Sequence, residues 1–103
     1  MATSQKRFEE LQDYFKTHNK IREQRYHSSK VHSVRWNSDG KKLASGSNDK
    51  SVVIHSIGNE RINKEKTFYG HNGPVDQLTW HSFNPDLVAT ASGDKTVRIW
   101  DCR

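Results

Sequence analysis

GHNGPVDQLTWHSFNPDLVATASGDKTVRIWD, residues 70–101, decides the fold of this 103-residue chain. It opens on Gly70-His71 and closes on Trp100-Asp101. Between them lie three short runs of strand character, Val75–Trp80, Leu87–Ser92 and Val97–Ile99. Asn84-Pro85-Asp86 breaks the first from the second, and Gly93-Asp94-Lys95 the second from the third. Short runs joined by tight turn formers predict a small antiparallel sheet.

Upstream the same grammar returns. Val31–Trp36 precedes Val75–Trp80 by 44 positions (75 − 31), and Lys42–Ser47 precedes Leu87–Ser92 by 45 (87 − 42). Ser38-Asp39-Gly40 is a hairpin signal, and Asn48-Asp49-Lys50 corresponds to Gly93-Asp94-Lys95. Val52-Val53-Ile54, the counterpart of Val97–Ile99, is β-branched throughout and reads as a strand buried on both faces. Trp36 matches Trp80, His27 matches His71 and Asp49 matches Asp94. A polar loop is expected over Ser56–Lys64, then a fourth, exposed strand over Glu65–Tyr69. Self-similarity with a period of about 40–45 residues and four strands per unit marks a β-propeller blade.

These features resemble the WD40-repeat family. The fold class predicted is all-β: a partial propeller of about two four-stranded antiparallel blades, the second incomplete, with a short N-terminal helix. The chain divides into residues 1–26, a helix with a basic linker or closing strand, and two repeats at 27–69 and 70–103. The resemblance implies a buried network in which the Asp94 carboxylate meets His71, His71 meets Thr90, and Thr90 meets Trp100. The weaker first-repeat equivalents are His27, Ser45 and Asp49. There Tyr26-His27 replaces Gly-His and His55-Ser56 replaces Trp-Asp. The first network is therefore expected to be incomplete and the first blade the less rigid.

Within that family, the strings KVHSVRW, LASGSNDK, GHNGPVDQLTWH and NPDLVATASGDKTVRIWD are similar to WD40 subunits of the nuclear transcription–export machinery. This resemblance implies a scaffold in mRNA processing and export. Its partners would be other subunits of the THO and transcription–export assembly, with mRNP nearby and RNA contact indirect. A WD40 scaffold of another pathway, such as a ubiquitin-ligase substrate receptor, shares the fold. A direct RNA-binding role would use the basic segment Lys16, Lys20, Arg22 and Arg25.

The N-terminal segment is read from its own residues. Phe8, Leu11 and Phe15 share one face of a short helix over Lys6–Phe15, with Glu9, Glu10, Gln12 and Asp13 opposite. The family resemblance implies that Ile21–Tyr26 supplies the outer strand that closes a last blade. Charge on the linker, including His18, also suits an edge protected against pairing.

Composition points to binding rather than chemistry. Hydrophobic residues make up 31% of the chain and its formal charge is +5, so only a modest core is available and acidic partners are favoured. The single cysteine, Cys102, rules out an internal disulfide framework and suits a reducing nuclear or cytosolic compartment. No apolar run is long enough for a spanning helix, so no membrane partner is expected. The histidines lack metal-ligand spacing and the glycines form no phosphate-binding loop, so no metal, cofactor, small-molecule substrate or catalytic residue is expected. Propellers carry about four to eight blades. Fewer than two here predict a piece of a longer protein or a truncated product, whose open faces favour association.

Overall fold

The computed structural model describes residues 6–11, 23–58 and 61–103. Seven strands form two antiparallel sheets. The first holds β1 (Val31–Trp36), β2 (Lys42–Ser47), β3 (Val52–Gly58) and β4 (Arg61–Phe68), in that order. The second holds β5 (Val75–Trp80), β6 (Leu87–Ser92) and β7 (Val97–Asp101). Every connection within a sheet is a hairpin between neighbours. The partial-propeller reading is therefore correct.

Turn chemistry closes the hairpins at equivalent places. Lys50 and Lys95 both take the left-handed conformation, with φ of 74° and 73°. Each donates its N–H to a serine carbonyl that ends the preceding strand, Ser47 or Ser92, at 3.1 Å. The carboxylates of Asp49 and Asp94 fold back over these turns and accept the N–H groups of Ser51 and Thr96 at 3.0 and 2.9 Å.

The predicted loop over Ser56–Lys64 is not there. β3 continues to Gly58 and β4 starts at Arg61, with Ser56 opposite Asn63 and Ile57 opposite Ile62. The Ile57–Ile62 cross-strand pair supplies apolar contact that the polar composition of the stretch obscures. Residues 23–26, the described part of the segment read as a closing strand, carry no strand of their own. Among the described residues no strand lies alongside to pair with them. The rest of that segment, Lys16, His18, Lys20, Ile21 and Arg22, lies outside the described residues, as do Gln12, Asp13 and Phe15.

The two sheets pack face to face. Ala44, Val52 and Ile54 of the first meet Val75, Leu78, Val88 and Cys102 of the second, with Phe68, Trp80 and Trp100 around them. Register explains the choice. Ala44 lies opposite Ile54, and Gly46 opposite Val52, so all four share one face. Polar bonds pin the same junction. Trp80 Nε1–H donates to Arg35 O at 2.8 Å, and Asn37 Nδ2–H to Pro85 O at 3.0 Å. Phe68 stacks on Trp100 with centroids 5.0 Å apart.

Helix is present over residues 6–11, and Phe8 and Leu11 border a cavity together with Trp36, Leu78 and Trp80. Phe8 is exposed. The Arg7 stem lies against Gly40, where a Cβ would collide with Arg7 Cγ, and Arg7 Nε–H points at Gly40 O, 3.4 Å away. Gly40, with φ 70°, closes the β1–β2 turn and leaves room for that stem.

Burial reverses the expected ranking of the blades. Val52, Val53 and Ile54 are fully buried, whereas Val97 and Ile99 are 71% and 66% exposed. Cover on both faces of a strand, more than sequence regularity, sets its resistance to local opening. Amide exchange is expected to be slower across Val52–Ile54 than across Val97–Ile99. Equal or inverted protection factors would refute this.

Candidate functional site

The candidate site is a pair of buried hydrogen-bonded networks, one per sheet. Each connects the segment before its first strand to the middle of the sheet. In the second sheet, His71 Nδ1 lies 3.0 Å from Asp94 Oδ2 and its Nε2 lies 2.7 Å from Thr90 Oγ1. Trp100 Nε1–H donates to that same hydroxyl at 2.8 Å. The carboxylate fixes the proton on Nδ1, so Nε2 accepts from the Thr90 hydroxyl, whose oxygen in turn accepts from the indole. The His71 ring nitrogens, the Thr90 hydroxyl and the Trp100 indole N–H are all matched in this second-sheet network.

Asp94 sits at a convergence of donors. The Thr96 hydroxyl donates to Oδ1 at 2.6 Å and Asn72 N–H to Oδ2 at 2.9 Å. The Thr96 hydroxyl, then Asn72 N–H and His71, hold its pKa well below the usual carboxylate range, against the opposing effect of burial.

The first sheet repeats the arrangement with different residues. His27 Nδ1 lies 3.1 Å from Asp49 Oδ2, and its Nε2 lies 2.7 Å from Ser45 Oγ. The Ser51 hydroxyl donates to Asp49 Oδ1 at 2.6 Å. His55 Nε2 lies 2.8 Å from Ser45 Oγ. The expectation of an incomplete first network is thereby corrected. His55 Nε2–H takes the position and the donor role of Trp100 Nε1–H. Ser51 and Thr96, absent from the sequence reading, complete the two carboxylate clamps. Their common spacing of two residues after the aspartate was the available signal.

A compensating exchange explains how histidine fits where the second sheet has tryptophan. A Cβ on Gly70 would lie 3.1 Å from Trp100 Cη2 and 3.0 Å from Arg98 Nη1, so the larger indole requires glycine there. In the first sheet the smaller imidazole leaves space, and Tyr26 fills it, its ring 5.5 Å from that of His55. A double-mutant cycle checks this. His55→Trp and Tyr26→Gly are each expected to destabilise by about 1–3 kcal/mol, by overpacking and by loss of packing respectively. The double variant should recover most of that loss, and strictly additive effects in urea melts would refute the exchange.

The exchange leaves one mark. His55 Nδ1 is buried without a hydrogen-bond partner. Protonation would place an unpaired N–H there. Burial first, and then the neighbouring His27, push the His55 pKa down to about 4. The neutral form belongs to the folded state, so the unfolded chain takes up the proton first. This contribution to stability is complete above about pH 6.5 and declines as pH falls towards 4. For Asp49, burial raises the pKa, but the Ser51 hydroxyl, the N–H groups of Ser28 and Ser51, and His27 outweigh it and hold the group at about 2. Its contribution is complete above about pH 4 and is lost as pH falls to 2. Urea midpoints are expected to fall from pH 6.5 to 4, and His55→Gln should shallow that limb. An unchanged slope would remove His55 as its source.

The order carboxylate–imidazole–hydroxyl resembles an acyl-transfer triad. Here, however, Thr90 and Ser45 are 1% and 5% exposed, and each hydroxyl oxygen is already engaged by a second donor. The networks join strands and turns; they do not open onto a substrate cleft. Among the described residues no cluster of three potential metal ligands occurs. Of the basic segment, Arg25 alone is described. It is exposed and pairs with Glu23 at 3.6 Å.

A four-stranded and a three-stranded antiparallel sheet, each tied by an Asp–His–hydroxyl network and packed face to face, have the character of WD40 blades. Residues 18–56 and 62–101 match the WD domain, G-beta repeat family, and the chain belongs to it. Among individual proteins it is similar to THO complex subunit 3 of Arabidopsis thaliana, at 54% identity over 84 residues, covering 80% of this chain and 27% of that protein. It also resembles anaphase-promoting complex subunit cdc20 of Dictyostelium discoideum, at 40% identity over 78 residues, covering 73% and 16%. A chain in the crystal structure of the mitotic checkpoint complex superposes with a TM-score of 0.66 at 36% identity, covering 74% of this chain and 23% of that one. The chain thus spans about a quarter or less of these relatives.

Proposed function

We propose that the chain acts as a WD40 scaffold of the THO type, in transcription-coupled mRNA processing and export in the nucleus. It works through protein–protein contacts and carries no chemistry of its own. One observation carries this reading: identity to THO complex subunit 3 is 54%, against 40% for cdc20 and 35% for a U5 small nuclear ribonucleoprotein component of Dictyostelium discoideum. The fold requirement is common to all three, so the excess reflects positions that the blade does not need. The buried networks support the same view, since they stiffen a surface and engage their own imidazole and hydroxyl groups in the interior.

Affinity purification of the tagged chain from nuclear extract is the test. Enrichment of THO subunits that survives ribonuclease supports the proposal. Enrichment of anaphase-promoting-complex components instead would assign the chain to the cdc20-like alternative. Loss of all partners on ribonuclease treatment, with RNA affinity falling steeply with salt, would indicate direct RNA binding.

A further inference from the structure

The outer edge of β4 keeps the same setting whatever packs on the two faces of its sheet. In the order β1-β2-β3-β4, β4 pairs with β3 alone, and among the described residues nothing pairs with its other side. A sheet packed on either face would lie beside that edge and leave its outward backbone N–H and C=O groups unpaired. Edges of this kind are ordinarily blunted by being short. β4, at 8 residues, is the longest of the seven strands.

The charges of β4 are uneven. RINKEKTF carries Arg61, Lys64 and Lys66 against Glu65. The register shift opposite Ile54 and His55 leaves Glu65 outside the ladder, and its carboxylate lies 3.4 Å from Lys42 Nζ. The acid of this strand is thus engaged by its own sheet. The cations are not: among the described residues neither Arg61 nor Lys64 meets a carboxylate. Lys64 Nζ stands 5.6 Å from the Tyr26 ring centroid, and Lys66 Nζ donates to Arg103 O at 2.8 Å. Register sets these charges on both faces. Arg61 lies opposite Gly58 and Lys66 opposite Ile54, on the side of the second sheet, whereas Lys64 lies opposite His55 on the other side.

Lysine on an edge repels a second basic strand, but it attracts an acidic one. An RNA strand would compete for the same charge, yet its bases need rings to stack on. The one aromatic residue of β4, Phe68, is already stacked on Trp100. We infer that the outer edge of β4 docks an extended acidic segment of a partner protein, which adds to the first sheet as a fifth strand. Main-chain hydrogen bonds hold the segment, and the cations on both faces select its carboxylates. The inference goes beyond the THO-type role: it fixes the chemistry of a protein partner, not its identity, so this binding and the affinity purification can fail separately.

A fluorescent peptide of mixed glutamate and threonine, as long as β4 and with glutamates on both strand faces, tests it on the full 103-residue chain. Anisotropy should show saturable binding. N-methylation of alternate peptide residues keeps the charge and removes main-chain donors, so it should weaken binding at least about tenfold. The lysine–threonine counterpart should not bind. Lys64→Gln should weaken the glutamate peptide severalfold. Arg61→Glu with Lys64→Glu should exchange the preference, so that the lysine peptide binds instead, which also shows that the variant is folded. With the glutamate peptide bound, amide exchange should slow across Arg61–Phe68 and not across β7. No saturation up to about 1 mM would overturn the inference. So would binding indifferent to N-methylation, which is charge alone, or protection confined to β7. Tighter binding of oligouridylate than of the glutamate peptide would assign the edge to nucleic acid instead.

Discussion

Replacing His71 by alanine is expected to lower stability by about 3 kcal/mol, enough to unfold much of a chain this small. The imidazole is the central link of the second network, lying 3.0 Å from Asp94 and 2.7 Å from Thr90. Removing it strands the Thr90 hydroxyl in the interior and takes a donor from the Asp94 carboxylate. A cavity opens beside Trp100, whose ring lies 6.0 Å from that of His71. His32→Ala is the control, because His32 is exposed and makes only one long contact, 3.5 Å from Asn48 Oδ1. It should change stability by less than about 0.5 kcal/mol. Urea denaturation followed by circular dichroism at pH 7 reads both. A His71→Ala loss below about 1 kcal/mol would mean that the network contributes little to holding the blade.

The second large effect belongs to the junction between the sheets. Gly46→Val is expected to cost about 3 kcal/mol, because its Cβ would lie 2.6 Å from Val75 Cγ1 and 3.2 Å from Val75 Cβ. Val75 is fully buried in the core and has no room to retreat. The sheets must therefore separate, exposing Ile54 and Val88 and breaking the Trp80–Arg35 bond. Pairing Gly46→Ala with Val75→Ala should restore part of the loss seen for Gly46→Ala alone, since the offending methyl is removed. At Gly58 a Cβ would meet nothing within 4 Å, so Gly58→Ala should be close to neutral. A Gly46→Val chain with wild-type stability would show that the sheets do not pack as described.

These two residues represent the two levels on which the blade is held. His71 acts within one sheet, joining the approach segment to β6 and to the β6–β7 turn. Gly46 acts between sheets, where the absence of a side chain lets Val75 approach the first sheet. Both concern the rigidity of a binding surface, which is what a scaffold requires of its core.

The repeat itself was legible because its signals are local. Turn formers at Asn48-Asp49-Lys50 and Gly93-Asp94-Lys95 fix hairpins through bonds spanning two or three residues. The β-branched run at Val52–Ile54 marks a strand wherever it is placed. By itself the sequence determined the six clearest strand sites and their antiparallel order, while the relation between His71 and Asp94 was implied by the family resemblance. Only the tertiary structure decided the rest. It showed that Ile57 and Ile62 pair to replace a loop, because opposed side chains are visible only once register is set. It showed that His55 replaces tryptophan in the first network, because that depends on the space Tyr26 fills from another segment. And it buried Val52–Ile54 while leaving Val97 and Ile99 open. Burial depends on what lies across a sheet face, and equivalent residues in one chain can face different neighbours.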